Sequence, residues 1–255
     1  MKIDEALEWI RQQLKQHHQS DSPSLDAQII LEKITGLHRP VLLSHPERDL
    51  SAAEAASVRE LTGRLLTGEP LPYVLGEWPF FGHSFRVTPD VLIPRPETEL
   101  LVEAAVDWLK EHPEVRTGAD IGTGSGCIAL SILAAFPERK LDFAGVDRSF
   151  PALRIAAENA ARFGLSGRIR WVHGDLSMPL RAPLRLICAN LPYIPSQRCL
   201  ELDVSKTEPQ IALDGGTDGF DLYRALFVDL QQKMAPDGLI LCEIEYSQKK
   251  VALET

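Results

Sequence analysis

The chain of 255 residues is 44% hydrophobic and 25% charged, which suits one large domain or a main domain with a smaller one beside it. Its formal net charge of −9 argues against a protein that lives by wrapping nucleic-acid phosphate, although one local basic face would reopen that case. Four scattered cysteines, Cys127, Cys188, Cys199 and Cys242, form no Cys-x-x-Cys pair and no His-containing metal spacing, so no metal site is expected. The opening MKIDEALEWI mixes acidic and apolar residues, no run approaches the ~18 apolar residues of a membrane span, and no signal peptide is visible, which points to the cytoplasm.

Residues 3 to about 68 read as helical. Ile3, Leu7, Ile10 and Leu14 recur at helical spacing. Asp21-Ser22-Pro23 breaks that pattern, and a second helix runs through Leu25, Ile29 and Ile30 to a stop at Gly36. Ser51 and Glu54 have the spacing of a capping box, opening a third helix through Val58, Leu61 and Leu65 to Gly68. No catalytic chemistry is visible in this small bundle, so residues 1–75 are expected to form a domain that holds or recognises a partner.

The next stretch, 76–94, is rich in Pro, Gly and aromatic residues. Phe80-Phe81 and Phe85-Arg86-Val87 flank Gly82-His83, which predicts a β-hairpin turning near the glycine and linking the domains. Val91-Leu92-Ile93 reads as a short extended piece. Pro96 then sits at a first helical position, with Glu97 and Glu99 in the first turn, and Leu100, Leu101, Ala104, Ala105 and Trp108 mark the expected buried face.

From about Thr117 the pattern alternates. Strands are expected ending at Gly118–Ile121, over Leu141–Val146, Ile169–Val172, Leu184–Ala189 and Leu239–Ile244; helices are expected over Cys127–Ala135, Pro151–Phe163 and Phe220–Met234. Alternation of this kind implies right-handed βαβ units and a parallel sheet. Residues 95–255 therefore read as a doubly wound α/β domain of Rossmann-like type.

Asp120-Ile121-Gly122-Thr123-Gly124-Ser125-Gly126 follows the first strand of that domain. Its glycines permit tight turns and close approach of a ligand, a signal that is weak on its own. Asp147 closes the second strand, where a carboxylate can accept both ribose hydroxyls of an adenosine, and Gly174-Asp175 closes the third, where an acceptor could read the adenine amino group. A dinucleotide fingerprint would space its glycines as Gly-x-Gly-x-x-Gly. Here the order is Gly-x-Gly-x-Gly behind an acid, and Asp120 would repel a pyrophosphate but suit the cationic amino group of S-adenosylmethionine. The expected cofactor residues are Asp120, Gly122, Thr123, Gly124, Gly126, Asp147, Asp175 and Asn190.

The fourth strand ends in Cys188-Ala189-Asn190-Leu191-Pro192-Tyr193. An amide nitrogen is a poor nucleophile because its lone pair is delocalised. If Asn190 Oδ1 and the Leu191 carbonyl each accept one N–H of an acceptor NH2 group, the nitrogen is fixed and its out-of-plane lone pair can face the methyl donor. Pro192 stiffens the segment and Tyr193 would pack on the planar group. These four residues are the expected catalytic and acceptor-binding set.

The same residues could hold the amino group of a flipped adenine or guanine, so a nucleic-acid N-methyltransferase stands as a rival. A second rival is a protein that binds the cofactor or a partner without turnover.

Taken together, GEWPFFGHSFRV (76–87), LIPRPETELLVE (92–103), DIGTGSG (120–126), NLPY (190–193) and EPQIAL-GG (Glu208–Leu213, Gly215-Gly216) resemble the protein-(glutamine-N5) methyltransferases of the PrmC/HemK type, over about Leu65 to Gln248. The resemblance implies S-adenosylmethionine as donor and the glutamine of the Gly-Gly-Gln motif of class-1 release factors as acceptor. It implies a docking role for the N-terminal helices, places Arg95, Glu97 and Thr98 beside the active site, and puts Phe85 in a hairpin that lines it. Ribosomal-protein glutamine methyltransferases are a related alternative, against which the RPETE stretch (95–99) speaks.

The chain departs from the family at two points. Leu191 stands where the family has the first Pro of Asn-Pro-Pro-Tyr; the backbone carbonyl is retained, at a cost in rigidity of under ~1 kcal/mol. Family members also continue into a final pair of strands, so the last strand is expected to form an exposed edge and the chain to be a C-terminally truncated form.

Overall fold

The computed structural model describes residues 1–17, 20–181 and 183–255. The chain divides into two compact units, Met1–Gly76 and Glu77–Thr255. His18 and Gln19, within the stretch read as helical, lie outside the described residues.

The first unit contains α1 (Ile3–Gln16), α2 (Pro23–Thr35), α3 (Arg39–Ser44), α4 (Ala52–Leu66) and α5 (Leu71–Leu75). Ile3, Ala6, Ile10 and Leu14 of α1 are fully buried against Ile30, Leu31, Val58 and Leu65. The capping box forms as expected: Ser51 Oγ accepts from Glu54 N–H at 3.2 Å, and Glu54 Oε2 accepts from Ser51 N–H at 2.7 Å. Gly36 ends α2 in the left-handed region, φ 68°. The helices α3 and α5 were not anticipated, because six and five residues are too few to display a 3.6-residue period.

The second unit opens with the hairpin β1 (Glu77–Phe80) and β2 (His83–Arg86). Its two-residue turn places Phe81 at φ 48° and Gly82 at φ 74°, the paired positive φ values that a tight hairpin needs. The hairpin was expected to be a linker and is instead part of the second unit. Phe80 and Phe85 are buried in its core, and the side chain of Asn159 joins the hairpin to the glycine-rich loop, accepting from Arg86 N–H at 2.7 Å and donating to Arg86 C=O at 3.1 Å and Ser125 C=O at 2.9 Å.

A 3-10 turn, Pro96–Thr98, leads into α6 (Glu99–Glu111). The buried face of α6 is corrected. Leu101, Val102, Ala105, Val106 and Leu109 are buried, while Leu100 is 67% exposed, Ala104 is exposed and Trp108 is half-buried. The run LLVEAAV carries apolar residues on adjacent stripes, and the entry of the helix selects one of them: Glu99 Oε1 accepts from Phe81 N–H at 2.8 Å. Val91–Ile93 joins no strand; Ile93 N–H donates to Glu208 Oε2 at 3.0 Å.

The remaining elements are β3 (Thr117–Ile121), α7 (Cys127–Ala135), β4 (Asp142–Asp147), α8 (Phe150–Arg162), β5 (Ile169–His173), β6 (Leu184–Ala189), α9 (Ser196–Glu201), α10 (Asp221–Leu230), β7 (Met234–Cys242) and α11 (Lys249–Glu254). Five parallel strands lie in the order β5-β4-β3-β6-β7. One face, with Phe143, Leu186 and Cys188, packs with α6 and α7; the other, with Ala119, Ile121, Ile187 and Ala189, packs with α10. The last helix of the expected set ends at Leu230 rather than Met234, and the final strand begins earlier than read, with a register shift opposite Leu184 to Leu186. The sheet is the doubly wound, Rossmann-like α/β fold expected, and the chain reverses direction across it between β3 and β6, the place where such sheets open a crevice.

Asn159→Ala removes three hydrogen bonds at a fully buried position. We expect a loss of about 2–4 kcal/mol in a denaturant melt, with the glycine loop loosened as well.

Candidate active site

The carboxyl ends of β3, β4, β5 and β6 converge on a cleft of about 710 Å³. Gly122, Gly124, Asp147, Asp175 and Asn190 of the expected cofactor residues line it, with Leu191 and Pro192 beside them. The glycine loop is pinned by β4: Gly122 and Thr123 N–H donate to Val146 C=O at 2.9 and 3.0 Å, and Gly124 N–H donates to Asp147 Oδ2 at 2.9 Å. Gly122, Gly124 and Gly126 all have positive φ, at 73°, 54° and 80°. A Cβ on Gly122 would also lie 3.0 Å from Leu191 Cδ2, so only glycine leaves both backbone and wall undistorted.

Asp120, Thr123 and Gly126 do not line the cleft; they shape the loop from behind. Asp120 is fully buried, and its Oδ2 accepts from Thr123 Oγ1 at 2.6 Å and from Ala129 N–H at 3.3 Å. Oδ1 has no partner among the described residues. Burial, aided by the nearby Asp147 charge, pushes the Asp120 carboxyl from an ordinary 3.8 up to about 7. Burial also raises the Asp147 carboxyl, against hydrogen bonds from Ser149 and Gly124 N–H.

A second cavity, about 460 Å³, adjoins Asn190-Leu191-Pro192, and Arg95, Tyr193 and Glu243 line it. Five residues, Leu92, Asn190, Leu191, Pro192 and Ala212, border both cavities. Asn190 Nδ2 donates to the buried Thr98 Oγ1 at 3.0 Å, and neither Asn190 Oδ1 nor the Leu191 carbonyl accepts a hydrogen bond from the described residues. Leu191 N–H, the donor a proline would lack, donates to the hydroxyl of the fully buried Tyr223 at 3.0 Å; that hydroxyl donates in turn toward the carbonyls of Ala189 and Glu243.

The Gly215–Gly219 loop supports the segment from below. Gln248 Nε2 donates to Tyr193 C=O at 2.9 Å and to Gly219 C=O at 3.0 Å, and Ile194 exchanges backbone hydrogen bonds with Leu213 and Gly215. A Cβ on Gly219 would sit 2.1 Å from the Tyr193 carbonyl, which excludes any other residue there. Arg95 is held by Glu208, which is 6% exposed. Glu97 is exposed and lines neither cavity.

Phe85 is corrected. Its ring is fully buried in the core, edge-on to Phe163 at 4.9 Å and to Phe80 at 6.0 Å, and it lines neither cavity. An aromatic on a hairpin can face either way, and burial here was won by the aromatic cluster. Sequence reasoning gave no role to Tyr223, Glu243 or Asn159, which act across distances of sequence that no local spacing reveals.

Two family models match the chain: the PrmC N-terminal domain over residues 5–76 and the Methyltransferase small domain over 97–204. Proteins named release factor glutamine methyltransferase are similar along nearly the whole chain. The one from Bradyrhizobium diazoefficiens is 38% identical, over 91% of this chain and 79% of the relative; that from Moorella thermoacetica is 41% identical, over 89% and 80%. The Geobacter sulfurreducens relative is 36% identical over 98% of this chain and 87% of its own. The chain belongs to the release factor glutamine methyltransferase family. It is accordingly a methyltransferase. Among solved structures, the hMettl16 catalytic domain, crystallised with a MAT2A 3'UTR hairpin, superposes with a TM-score of 0.51 at 18% identity, over 68% of this chain and 66% of that one, a likeness of fold.

Tyr223→Phe leaves Leu191 N–H buried without an acceptor. A loss of about 1–3 kcal/mol in stability, together with reduced methyl transfer, is expected from thermal melts and turnover assays. Asp120 gives a second prediction. Folded, it keeps its proton up to about pH 7; unfolded, it releases it near 3.8, so the folded chain binds the extra proton in between. Stability of the ligand-free protein therefore falls as pH rises through that window, by up to about 4 kcal/mol. Asp120→Asn should flatten this decline when melts at about pH 5 and about pH 8 are compared.

Proposed function

We propose that this methyltransferase uses S-adenosylmethionine to methylate the side-chain amide nitrogen (N5) of the glutamine in the Gly-Gly-Gln motif of class-1 release factors. One observation carries the reading. Two acceptors, Asn190 Oδ1 and the Leu191 carbonyl, stand unengaged on a segment that borders two cavities. A primary amide has two N–H donors to match them, and the larger cleft can hold the methyl donor.

The chemistry of the first cleft fits that donor. Asp147 and Asp175, which line it, offer acceptors to a ribose and an adenine amino group, while Asp120 stands behind the glycine loop and acts on the donor through the shape of that loop. Gly122 and Gly124 present backbone without side chains to the cleft. When bound, S-adenosylmethionine supplies an electrophilic methyl group on a sulfonium.

The protein's own contribution is alignment. Asn190 and Leu191 accept the two amide N–H groups, which pushes electron density onto the nitrogen and fixes its plane. Pro192 limits the backbone, and Tyr193 covers the planar group and screens water. The glutamine nitrogen would take the methyl group as its bond to the sulfonium sulfur breaks, the bonding pair staying on sulfur as a neutral thioether, and the alkylated amide would then give its extra proton to water, so no strong base is required. Arg95, locked by Glu208 at the mouth of the second cavity, is suited to bind a main-chain carbonyl of the incoming loop. The N-terminal helices, with Leu43 54% and Val41 41% exposed, are assigned the docking of the release factor, a substrate that places the reaction in the cytoplasm. In neither role is nucleic acid or membrane required.

Asn190→Ala should lower transfer from labelled donor to purified release factor at least ~100-fold while cofactor binding stays nearly intact. Asp147→Ala should instead raise the cofactor Kd in calorimetry. A release factor carrying Ala for the glutamine should accept no label; incorporation that persists on it, or appears only on RNA or DNA, overturns the assignment.

A further inference from the structure

The methyl-transfer scheme gives no part to the Gly215–Gly219 loop or to Gln248, yet both lie against the residue that is to cover the acceptor. A Cβ on Gly215 would sit 2.5 Å from the Pro192 carbonyl oxygen and 2.8 Å from Tyr193 Cα, so the two main chains touch with no side chain between them. Gly219 faces the Tyr193 carbonyl as closely. Gln248, in the 3-10 turn Tyr246–Gln248 after β7, is buried and spans this contact. Its Nε2 donates to Tyr193 C=O at 2.9 Å and to Gly219 C=O at 3.0 Å, and its Oε1 accepts from Glu245 N–H at 3.1 Å.

All three of these partners are main chain, and that fixes the orientation of the amide. A carbonyl only accepts and a backbone N–H only donates. Turned over, Gln248 would set its oxygen against two carbonyl oxygens and its NH2 against an N–H. An ionised glutamate has the same shape but no proton for either carbonyl, and methionine has none to give. The consequence falls on Tyr193. Its carbonyl lies in the peptide plane that joins it to Ile194, and Ile194 is bonded on both sides, to Leu213 and Gly215. Holding that carbonyl sets ψ of Tyr193, and with it the direction in which the ring leaves the chain.

We propose that Gln248 is a positioning residue: by tying the Tyr193 carbonyl to the Gly215–Gly219 loop, it aims the Tyr193 ring at the acceptor cavity. The inference rests on the acceptor site proposed above and concerns what sets the ring that covers it. It implies a one-sided defect. Tyr193 lines the acceptor cavity and does not line the larger cleft, so loss of the tie should weaken methyl transfer and spare cofactor binding.

The test uses the full chain, S-adenosylmethionine and purified release factor. Gln248→Met, which keeps the length and removes the donors, should lower kcat about 10- to 100-fold, with KM for release factor and cofactor Kd in calorimetry within about threefold. Gln248→Glu should show the same one-sided loss, and should one of the two fold poorly, the other carries the comparison. Tyr193→Ala should lower kcat by at least as much as Gln248→Met, and adding Gln248→Met to it should cost no more than about a further threefold. In protein grown with 3-fluorotyrosine, the resonance of Tyr193, one of four tyrosines and assigned by its loss in Tyr193→Phe, should shift or broaden in Gln248→Met. A kcat within about threefold of wild type, a cofactor Kd that rises with the loss, losses that multiply in the double variant, or an unmoved Tyr193 resonance overturns the proposal and leaves the acceptor site standing. Transfer that survives Asn190→Ala removes the acceptor site and this inference together.

Discussion

A buried backbone that belongs to no helix or strand must find a partner for each of its polar groups elsewhere, and Asn190–Ile194 is such a backbone. It leaves β6 with no ladder of its own. Tyr223 receives Leu191 N–H, Gln248 supplies a donor to Tyr193 C=O, and Ile194 bonds on both sides to the loop after Pro209. Asn190 Oδ1 and the Leu191 carbonyl are among the groups that these contacts leave open. The rest of the second unit can be seen as the means of holding that remainder in place.

The cofactor side shows the same economy. The loop after β3 takes its shape from β4, through Val146 C=O and Asp147 Oδ2, so the carboxylate expected to read a ribose also ties down the glycines beside it. Behind the loop, Asp120 is buried with one oxygen unmatched, a local instability that the surrounding fold tolerates. Leu191 packs against Gly122 and joins the two sites into one wall.

How much of this was legible in the sequence depended on distance along the chain. The glycine run, Asp147 and NLPY were readable because each is a short pattern at a strand end, and the strand–helix alternation placed those ends together. The five parallel strands followed from the same alternation. The stripe of α6 was misjudged because LLVEAAV supplies two adjacent apolar faces, and only the tether from Glu99 to the hairpin decides between them. Phe85 was placed at the site rather than in the core because an aromatic gives no sign of which side of a hairpin it will occupy. Asn159 reaches a partner 73 residues away and Tyr223 one 32 residues away, separations at which no local spacing carries information. The short helices α3, α5 and α9 were invisible for the simpler reason that one or two turns show no period.

The departure at position 191 takes on another meaning in the folded chain. A proline there would secure the segment by its ring and bring no N–H to satisfy. Leucine brings the N–H, and the Tyr223 hydroxyl receives it. The fitness of one position has thus been mortgaged to the other: a lineage carrying leucine is bound to keep that hydroxyl, whereas one carrying proline is free of this particular debt.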